Sequence, residues 1–395
     1  MALIIVESPT KARTFNRIFS IAAKAKGSPK KAEHYVFATL GHFRDLPPTE
    51  LAVSTDNKFE PKYVIAKGKE KVVNKLRELA AEHKDIILAT DPDREGESIA
   101  YHAAYILDMI DEKWPNIAVK KNVNLKRIVF HEITTKALEE ALAHPTTVRL
   151  PLVMAQQARR ILDRLVGYTV SPVLWKKTGK NWLSAGRVQT VALRFVVERE
   201  REINEFPTDE FVTVTADFET NKTPYTAKLT KIDGKPVEQT VKTTLFAGNY
   251  EYTKGTILAK KGDELMENIA QDTYRIGDIK TVDGKRYPPP PFTTSLLQQD
   301  AISRYGMSAK QVMRVAQDLY ERGLITYHRT DSFNLSSSFV FRAKDYIVKT
   351  FGANYALPKP RGYKTRSALA QEAHEAIRPT KLDNDMNSER IAKLG

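Results

Sequence analysis

"DIILATDPDREGES", residues 85–98, runs from an apolar stretch into alternating carboxylates and then into helix-forming residues. A short apolar run bounded by turn residues reads as a buried strand. Asp91, Asp93 and Glu95 then fall at the carboxyl end of that strand, where open α/β sheets collect their ligands. Acids that converge raise one another's pKa unless a cation neutralises them, and hard oxygen ligands of this kind suit Mg2+. A solvated acidic turn is the other reading of the stretch taken alone.

Outward from this point, "LIIV", "YVFATL" and "RIVF" are further short apolar strands, and helical stretches separate them, one from about Lys69 to His83 and one from about Glu97. This rhythm predicts an α/β domain with a largely parallel sheet over residues 1–146. The first strand also ends in an acid: in "LIIVESPTKA", Glu7 follows the apolar run, Ser8 is a natural N-cap and Pro9 suits the first helical turn. Glu7 is therefore expected at the same sheet edge as Asp91, with Lys11 one turn into the next helix. Carboxylates, a cation and a lysine at one edge suggest phosphoryl-transfer chemistry. No "GxxxxGK[ST]" loop occurs, so no motif points to a nucleotide cofactor.

The composition sets the class of partner. The 395 residues carry 62 Lys and Arg against 48 Asp and Glu, a formal charge of +14, and such a chain seeks polyanions. At this length two to four domains are expected. No apolar run approaches the roughly 20 residues of a membrane helix, there is no cysteine, and "ALIIV" opens without a basic leader, so a cytoplasmic protein away from membranes is expected. The positive charge is concentrated: residues 151–197 hold eight basic side chains and one acid, Asp163, with Tyr168, Trp175 and Trp182 interleaved. Cations for phosphates and aromatic faces for bases are what single-stranded nucleic acid requires.

Residues 147–207 read as helical, through "VMAQQARRILDRLVGY". Residues 208–282 turn strand-like, with breaks at Asn221, Gly234 and Gly255, and predict a small β domain. "PPPP" at 288–291 is a rigid connector. Within 283–395, two helices joined at "YGMS" and a short strand suggest a winged-helix-like domain. That strand lies in "GLITYHRTDS", residues 323–332, whose Tyr327 is either a packed aromatic or a nucleophile on these residues alone.

Together, and in this order, the motifs resemble type IA DNA topoisomerases over nearly the whole chain. "VESPTKA" and "TDPDREGE" are similar to the Toprim domain of that family; "ARRILDRLVGY", "SPVLWKK" and "LSAGRVQT" to its single-strand groove; "PPPPFTTSLLQQDA", "GLITYHRTDS" and "EAHEAIRPT" to its active-site tyrosine domain. The resemblance implies a multidomain α/β plus α and β fold: a Toprim domain, a helical DNA-binding domain, a β-rich arch and a winged-helix-like domain.

It also implies roles. Tyr327 matches the nucleophile that becomes joined to a 5′ phosphate, Arg329 the arginine that steadies the phosphate, Glu7 the residue that protonates the departing 3′ oxygen, and Lys11 a contact to the scissile phosphate. His374 matches a histidine assisting there. Asp91, Asp93 and Glu95, with Glu7, match the Mg2+ site. His42, Arg159, Arg160, Asp163, Tyr168, Trp175, and the run Ser184, Ala185, Gly186, Arg187, Val188 and Gln189 match positions that hold DNA, as does Arg329. The implied activity is ATP-independent, Mg2+-dependent breakage and rejoining of one strand, relaxing negatively supercoiled DNA, by a monomer.

In the family the chain continues well past "HEAIRPT", whereas this sequence ends at Gly395. Cleavage without efficient strand passage is therefore expected. A Toprim nuclease or primase is an alternative that leaves "GLITYHRTDS" unused, and a single-strand-binding fragment without turnover is another.

Overall fold

The computed structural model of the chain describes residues 2–25, 34–220, 222–363 and 375–382. They fall into two compact units, Met1–Leu165 with Tyr287–Gly395, and Val166–Arg286.

In the first unit, strands β1 (Ala2–Val6), β2 (His34–Ala38), β3 (Asp85–Leu88) and β4 (Leu125–Arg127) form a parallel sheet in the order β4-β3-β1-β2. Every residue of β1 is buried, as a central parallel strand covered on both faces must be. The two-residue strand period divides the core. Leu3, Ile5, Ile86 and Leu88 join the cluster built with helices α2 (Glu70–Glu82) and α3 (Arg94–Ile106). Ala2, Ile4, Val6 and Ile87 join the other cluster, with α1 (Pro9–Ala25) and α4 (Thr135–Ala143).

That second cluster also contains Tyr320 and Tyr327, from a segment some two hundred residues later in the sequence. The segment comprises α8 (Thr294–Tyr305), α9 (Ala309–Glu321) and α10 (Ser337–Phe351). Gly306, with φ +63°, ends α8 at the expected "YGMS" joint, and Ser308 opens α9 with a capping box to Gln311. The expected strand after α9 is not a ladder. Ile325 makes only an isolated bridge to Pro379, and the neighbouring amides of Thr326 and Tyr327 bond to Arg378 and His131 carbonyls instead.

Helix α5 (Leu150–Thr178) is followed in the second unit by α6 (Arg187–Glu205), which has no buried residue. Beyond it, β5 (Thr215–Thr220) pairs with β6 (Thr223–Lys228), and β7 (Glu238–Leu245) with β8 (Gly248–Gly255), each pair an antiparallel ribbon. The segment expected to be strand-like and turn-rich also contains a helix, α7 (Ala259–Ala270), whose Leu265 and Ile269 pack on Val214, Val237 and Ile257. Among the described residues no helix is long and apolar enough to cross a membrane.

Candidate active site

The parallel register of β1 and β3 brings their carboxyl ends side by side, since Ile5 pairs with Leu88 and the Ala89 amide bonds the Ile5 carbonyl. Glu7 and the residues after Thr90 leave the sheet at one edge for that reason. The Ser8 hydroxyl accepts the Lys11 amide at 3.1 Å and starts α1. Lys11 is thereby directed inward. It is fully buried, and its Nζ donates to Glu7 Oε1 and Asp91 Oδ1, both at 2.8 Å.

Three ionisable groups share this buried space without a net charge. Burial, and then the Asp91 charge, push Glu7 up to about 8, so it carries a proton at neutral pH. Burial also works on Asp91, but Lys11 holds its carboxyl below the ordinary value. Burial opposes the Lys11 charge as well, and Asp91 and Glu7 outweigh it to hold the lysine above its usual pKa. The outcome is one cation, one anion and one neutral acid. The second oxygen of Glu7, Oε2, is buried with no hydrogen-bond partner.

The backbone that carries Asp91 is braced from below. Arg127, fully buried, donates to the carbonyls of Leu88 (3.3 Å), Thr90 (3.0 Å) and Asp91 (2.8 Å) and pairs with buried Glu97 at 3.1 Å. Arg149 adds a second guanidinium to Glu97 at 3.0 Å. Gly96 allows α3 to begin close against this turn, because a Cβ there would lie 2.3 Å from the Asp91 carbonyl.

Asp93 is the N-cap of α3. Its Oδ1 accepts the Gly96 amide at 2.8 Å, and its Oδ2 accepts the Tyr327 hydroxyl at 2.7 Å. Arg329 Nη1 lies 3.4 Å from the same Oδ2. Burial, and then the charges of Asp91 and Asp93, push the Tyr327 phenol well above its usual pKa, so the resting phenol keeps its proton. Its ring meets that of buried Tyr320 edge-on, centroids 5.1 Å apart. Burial, then Arg329, push neighbouring His328 down to about 4, so that imidazole is neutral.

The tyrosine segment is clamped from both flanks. Thr294 Oγ1 donates to the His328 carbonyl at 2.7 Å and accepts the Thr330 amide at 3.0 Å. Thr326 Oγ1 donates to the Ala376 carbonyl at 2.7 Å and accepts the Arg378 amide at 2.9 Å. These are the "FTTS" and "HEAIRPT" motifs acting as backbone clamps. At the start of the segment, Gly323 has φ +76° and a Cβ there would lie 2.3 Å from the Ile133 carbonyl, so glycine is required twice over.

Asp91, Asp93 and Glu95 do not converge as a triad. Asp91 turns to Lys11, Asp93 to Tyr327, and Glu95, one step into the helix, to His42 (3.5 Å) and Gln156 (3.2 Å). Among the described residues no three His, Cys, Asp or Glu side chains form a ready ligand cluster. The helical turn from Asp93 onward separates side chains that an extended strand would have kept together.

A second cleft, about 250 Å3, gathers His42, Glu95, Arg159, Arg160 and Asp163 from three separate segments. Arg160 is committed to Asp45 through two bonds of 2.9 and 2.7 Å, while Arg159 and Asp163 approach only to 3.9 Å. His102 and Tyr63 line this cleft too, and no sequence motif marks either of them. In the other unit, Tyr168 and Trp175 are partly exposed, and Trp175 Nε1 donates to the Leu183 carbonyl. Ala185 is buried with its amide on Ser171 Oγ at 3.0 Å, Gly186 is the N-cap of α6, and Gln189 folds back onto Ser184 at 3.1 Å. Arg187 and exposed Val188 begin that helix. His374 lies outside the described residues.

Comparisons with known proteins agree across these segments. A family model described as DNA topoisomerase matches residues 148–394, and a Toprim domain matches residues 2–133. A curated relative, DNA topoisomerase 1 of Synechocystis sp., is 41% identical over 401 residues, which is 95% of this chain and 41% of the relative. A solved structure of full-length topoisomerase I from Thermotoga maritima is similar at 35% identity with a TM-score of 0.69, covering 96% of this chain and 55% of that one. The chain thus spans about half the length, or less, of the proteins it matches.

Proposed function

Because the chain belongs to the DNA topoisomerase family, we propose that it breaks and rejoins single-stranded DNA through a covalent bond to Tyr327. The observation that carries the reading is the Tyr327 hydroxyl held 2.7 Å from Asp93, beside the buried Lys11, Glu7 and Asp91 group.

In the proposed reaction the Tyr327 oxygen attacks a backbone phosphorus. A bond forms from that oxygen to phosphorus, the bond to the 3′ oxygen breaks, and the Tyr327 proton passes to Asp93, to which it is already hydrogen-bonded. Glu7 gives its proton to the departing 3′ oxygen. Arg329 and Lys11 supply positive charge where the phosphoryl oxygens gain negative charge, the kind of preorganised stabilisation worth the most in a dry site. A phosphotyrosine retains the phosphodiester bond energy, so rejoining needs no ATP.

The resting group is electrically balanced, with Lys11 against Asp91 and Arg329 against Asp93. A phosphodiester adds a negative charge that these residues do not offset. Asp91, Asp93 and the unpartnered buried oxygen of Glu7 are hard oxygen donors of the kind Mg2+ takes. At rest they do not form a ligand cluster among the described residues, and they would hold the ion once Asp91 turned from Lys11, Asp93 from Tyr327, and Glu7 had given up its proton. Bound there, the ion would neutralise phosphate charge. Glu95, tied to His42 and Gln156, is placed for the cleft instead.

The substrate is proposed to be single-stranded or negatively supercoiled DNA on the cytoplasmic chromosome. His42, Arg159 and Asp163 would meet it in one unit, Tyr168, Trp175 and residues 184–189 in the other. An oligonucleotide labelled at either end tests the polarity. After denaturation, the 3′-terminal label should stay with the protein and the 5′-terminal label should leave on a shorter fragment ending in a 3′ hydroxyl. The opposite pattern, or no retained label, contradicts the reading.

A further inference from the structure

A cavity of about 1610 Å3 opens between α1, α4 and the start of α10, and it shares no lining residue with the cleft that holds His42 and Arg159. Asp93, Tyr327 and Arg329 do not line it either. Its volume exceeds the range usual for a single small ligand.

The charge on its walls is one-sided. Arg13 and Arg17 of α1, Lys136 of α4, Arg342 of α10 and Lys381 all line it. Among the described residues none of the five forms an ion pair: the Arg13 guanidinium reaches the Thr10 hydroxyl at 3.1 Å and that of Arg17 the Arg322 carbonyl at 3.4 Å. The lining acids Glu132 and Glu375 are both taken by one buried guanidinium, Arg378, at 2.9 and 2.8 Å. That leaves Glu140 against five cations. Arg13 and Arg17 stand four residues apart on one helix face, where like charges repel, and an anion in the cavity would relieve that repulsion.

We propose that this cavity is a second DNA-binding site, which holds the phosphodiester backbone of a segment other than the one in the His42 cleft. The lining hydroxyls of Ser336 and Ser338 complement phosphate and sugar oxygens. Among the described lining residues the one ring of Phe, Tyr or Trp is that of Phe130, which is buried beneath Lys11, and the one exposed ring is that of His144, so the wall is chiefly a phosphate surface. The site therefore reads phosphates and is indifferent to sequence. The inference rests on the chain acting on DNA and adds a site that the cleavage chemistry does not require.

The test is the salt dependence of DNA affinity for the full chain and for the variant Arg13→Ala, Arg17→Ala, Lys136→Ala, Arg342→Ala. All four side chains are exposed, so thermal unfolding should not change, and a matched midpoint is the fold control. Thymidine homopolymer, a mixed-sequence single strand and a duplex serve as probes. Each lost phosphate contact lowers the log–log slope by about 0.7 for a single strand or 0.9 for a duplex, so the four substitutions should lower it by roughly three units on a single strand or three and a half on a duplex. The loss should be equal for the two single strands, and whichever of single strand or duplex shows it names the segment bound. A slope unchanged on every probe, while Arg159→Ala still lowers it, overturns the second site and leaves the cleavage reading intact. Absence of DNA binding by the parent chain overturns both.

Discussion

The hydroxyl of Tyr327 and the guanidinium of Arg329 meet the same oxygen of Asp93, at 2.7 and 3.4 Å, across more than two hundred residues of sequence. One carboxylate thus fixes the proposed nucleophile, is placed to take its proton, and caps the helix that follows the acidic turn. Asp93→Asn separates these duties. Asparagine is as good an N-cap as aspartate, so the fold should hold. It cannot take the phenolic proton, so the rate of adduct formation on single-stranded DNA should fall roughly 10²- to 10⁴-fold. Quench-flow trapping with denaturant measures it, and a rate within a few-fold of the parent would remove Asp93 from the chemistry.

The balanced resting charge makes the metal testable. Asp91→Asn with Asp93→Asn leaves too few charged oxygens for a tight Mg2+ site. The Mg2+ midpoint for rejoining should move up at least tenfold. Rejoining should suffer more than cleavage, because the 3′ hydroxyl must be placed accurately on phosphorus. An unmoved midpoint in a Mg2+ titration would place the ion elsewhere.

Arg159 and Arg187 lie in different units, and among the described residues the ion-pair partner of Arg159 is Asp163, at a loose 3.9 Å. Replacing both by alanine should flatten the salt slope of single-strand binding by roughly one to one and a half units, at about 0.7 per contact. Fluorescence anisotropy at a series of salt concentrations reports it, and an unaltered slope means these arginines face away from the strand.

Buried Glu97 holds Arg127, and Arg127 holds the Asp91 backbone. Removing the charge with Glu97→Gln leaves Arg127 buried and uncompensated, which should cost about 3–5 kcal/mol in unfolding free energy. Burial pushes the Glu97 pKa up, yet Arg127 and Arg149 hold it below its ordinary value near 4.5. A depressed pKa stabilises the fold above the unfolded value and is lost as pH falls. Parent and variant should therefore converge in stability as denaturation is followed from neutral pH to below 4.5. A constant gap across that range would mean that Glu97 is not the ionised partner.

Helix α6 leaves Val188, Val191, Leu193, Phe195 and Val196 exposed, and the ribbons after it present unpaired strand edges. Apolar surface and open edges of this kind associate. The chain should bind a hydrophobic dye and sediment with a concentration-dependent mass. Replacing Val191 and Phe195 by Glu should reduce both signals, and a parent that neither binds dye nor associates contradicts this.

Much of the framework is legible in the sequence because it rests on local periodicity. The continuous apolar runs "LIIV" and "DIIL", separated by helical stretches, point to a parallel sheet, and the register of two such strands places Glu7 near Asp91. What sequence spacing does not carry is pairing across distance. Arg127 reads as one more charge in a basic chain until its partners, Glu97 and four carbonyls, are known. The spacing of Lys11 after Glu7 shows that it stands at a helix start near the sheet edge, but not that it lies fully buried between Glu7 and Asp91. The alternating acids suggest a triad only if the strand continues, and it does not, since Asp93 starts a helix. "LITY" has strand composition, but its amides find single partners in separate segments instead of a neighbouring strand.

The most direct measurement compares the parent chain with Tyr327→Phe on a 3′-labelled single-stranded oligonucleotide in Mg2+, with denaturation, proteolysis and mass spectrometry of the labelled peptide. The variant keeps the ring on Tyr320 and the cluster beneath it, so DNA affinity should remain within a few-fold. The parent should yield a peptide spanning residues 323–332 with the nucleotide on Tyr327, and the variant should yield none. Label on another residue, or equal adduct in the Phe variant, would contradict the account.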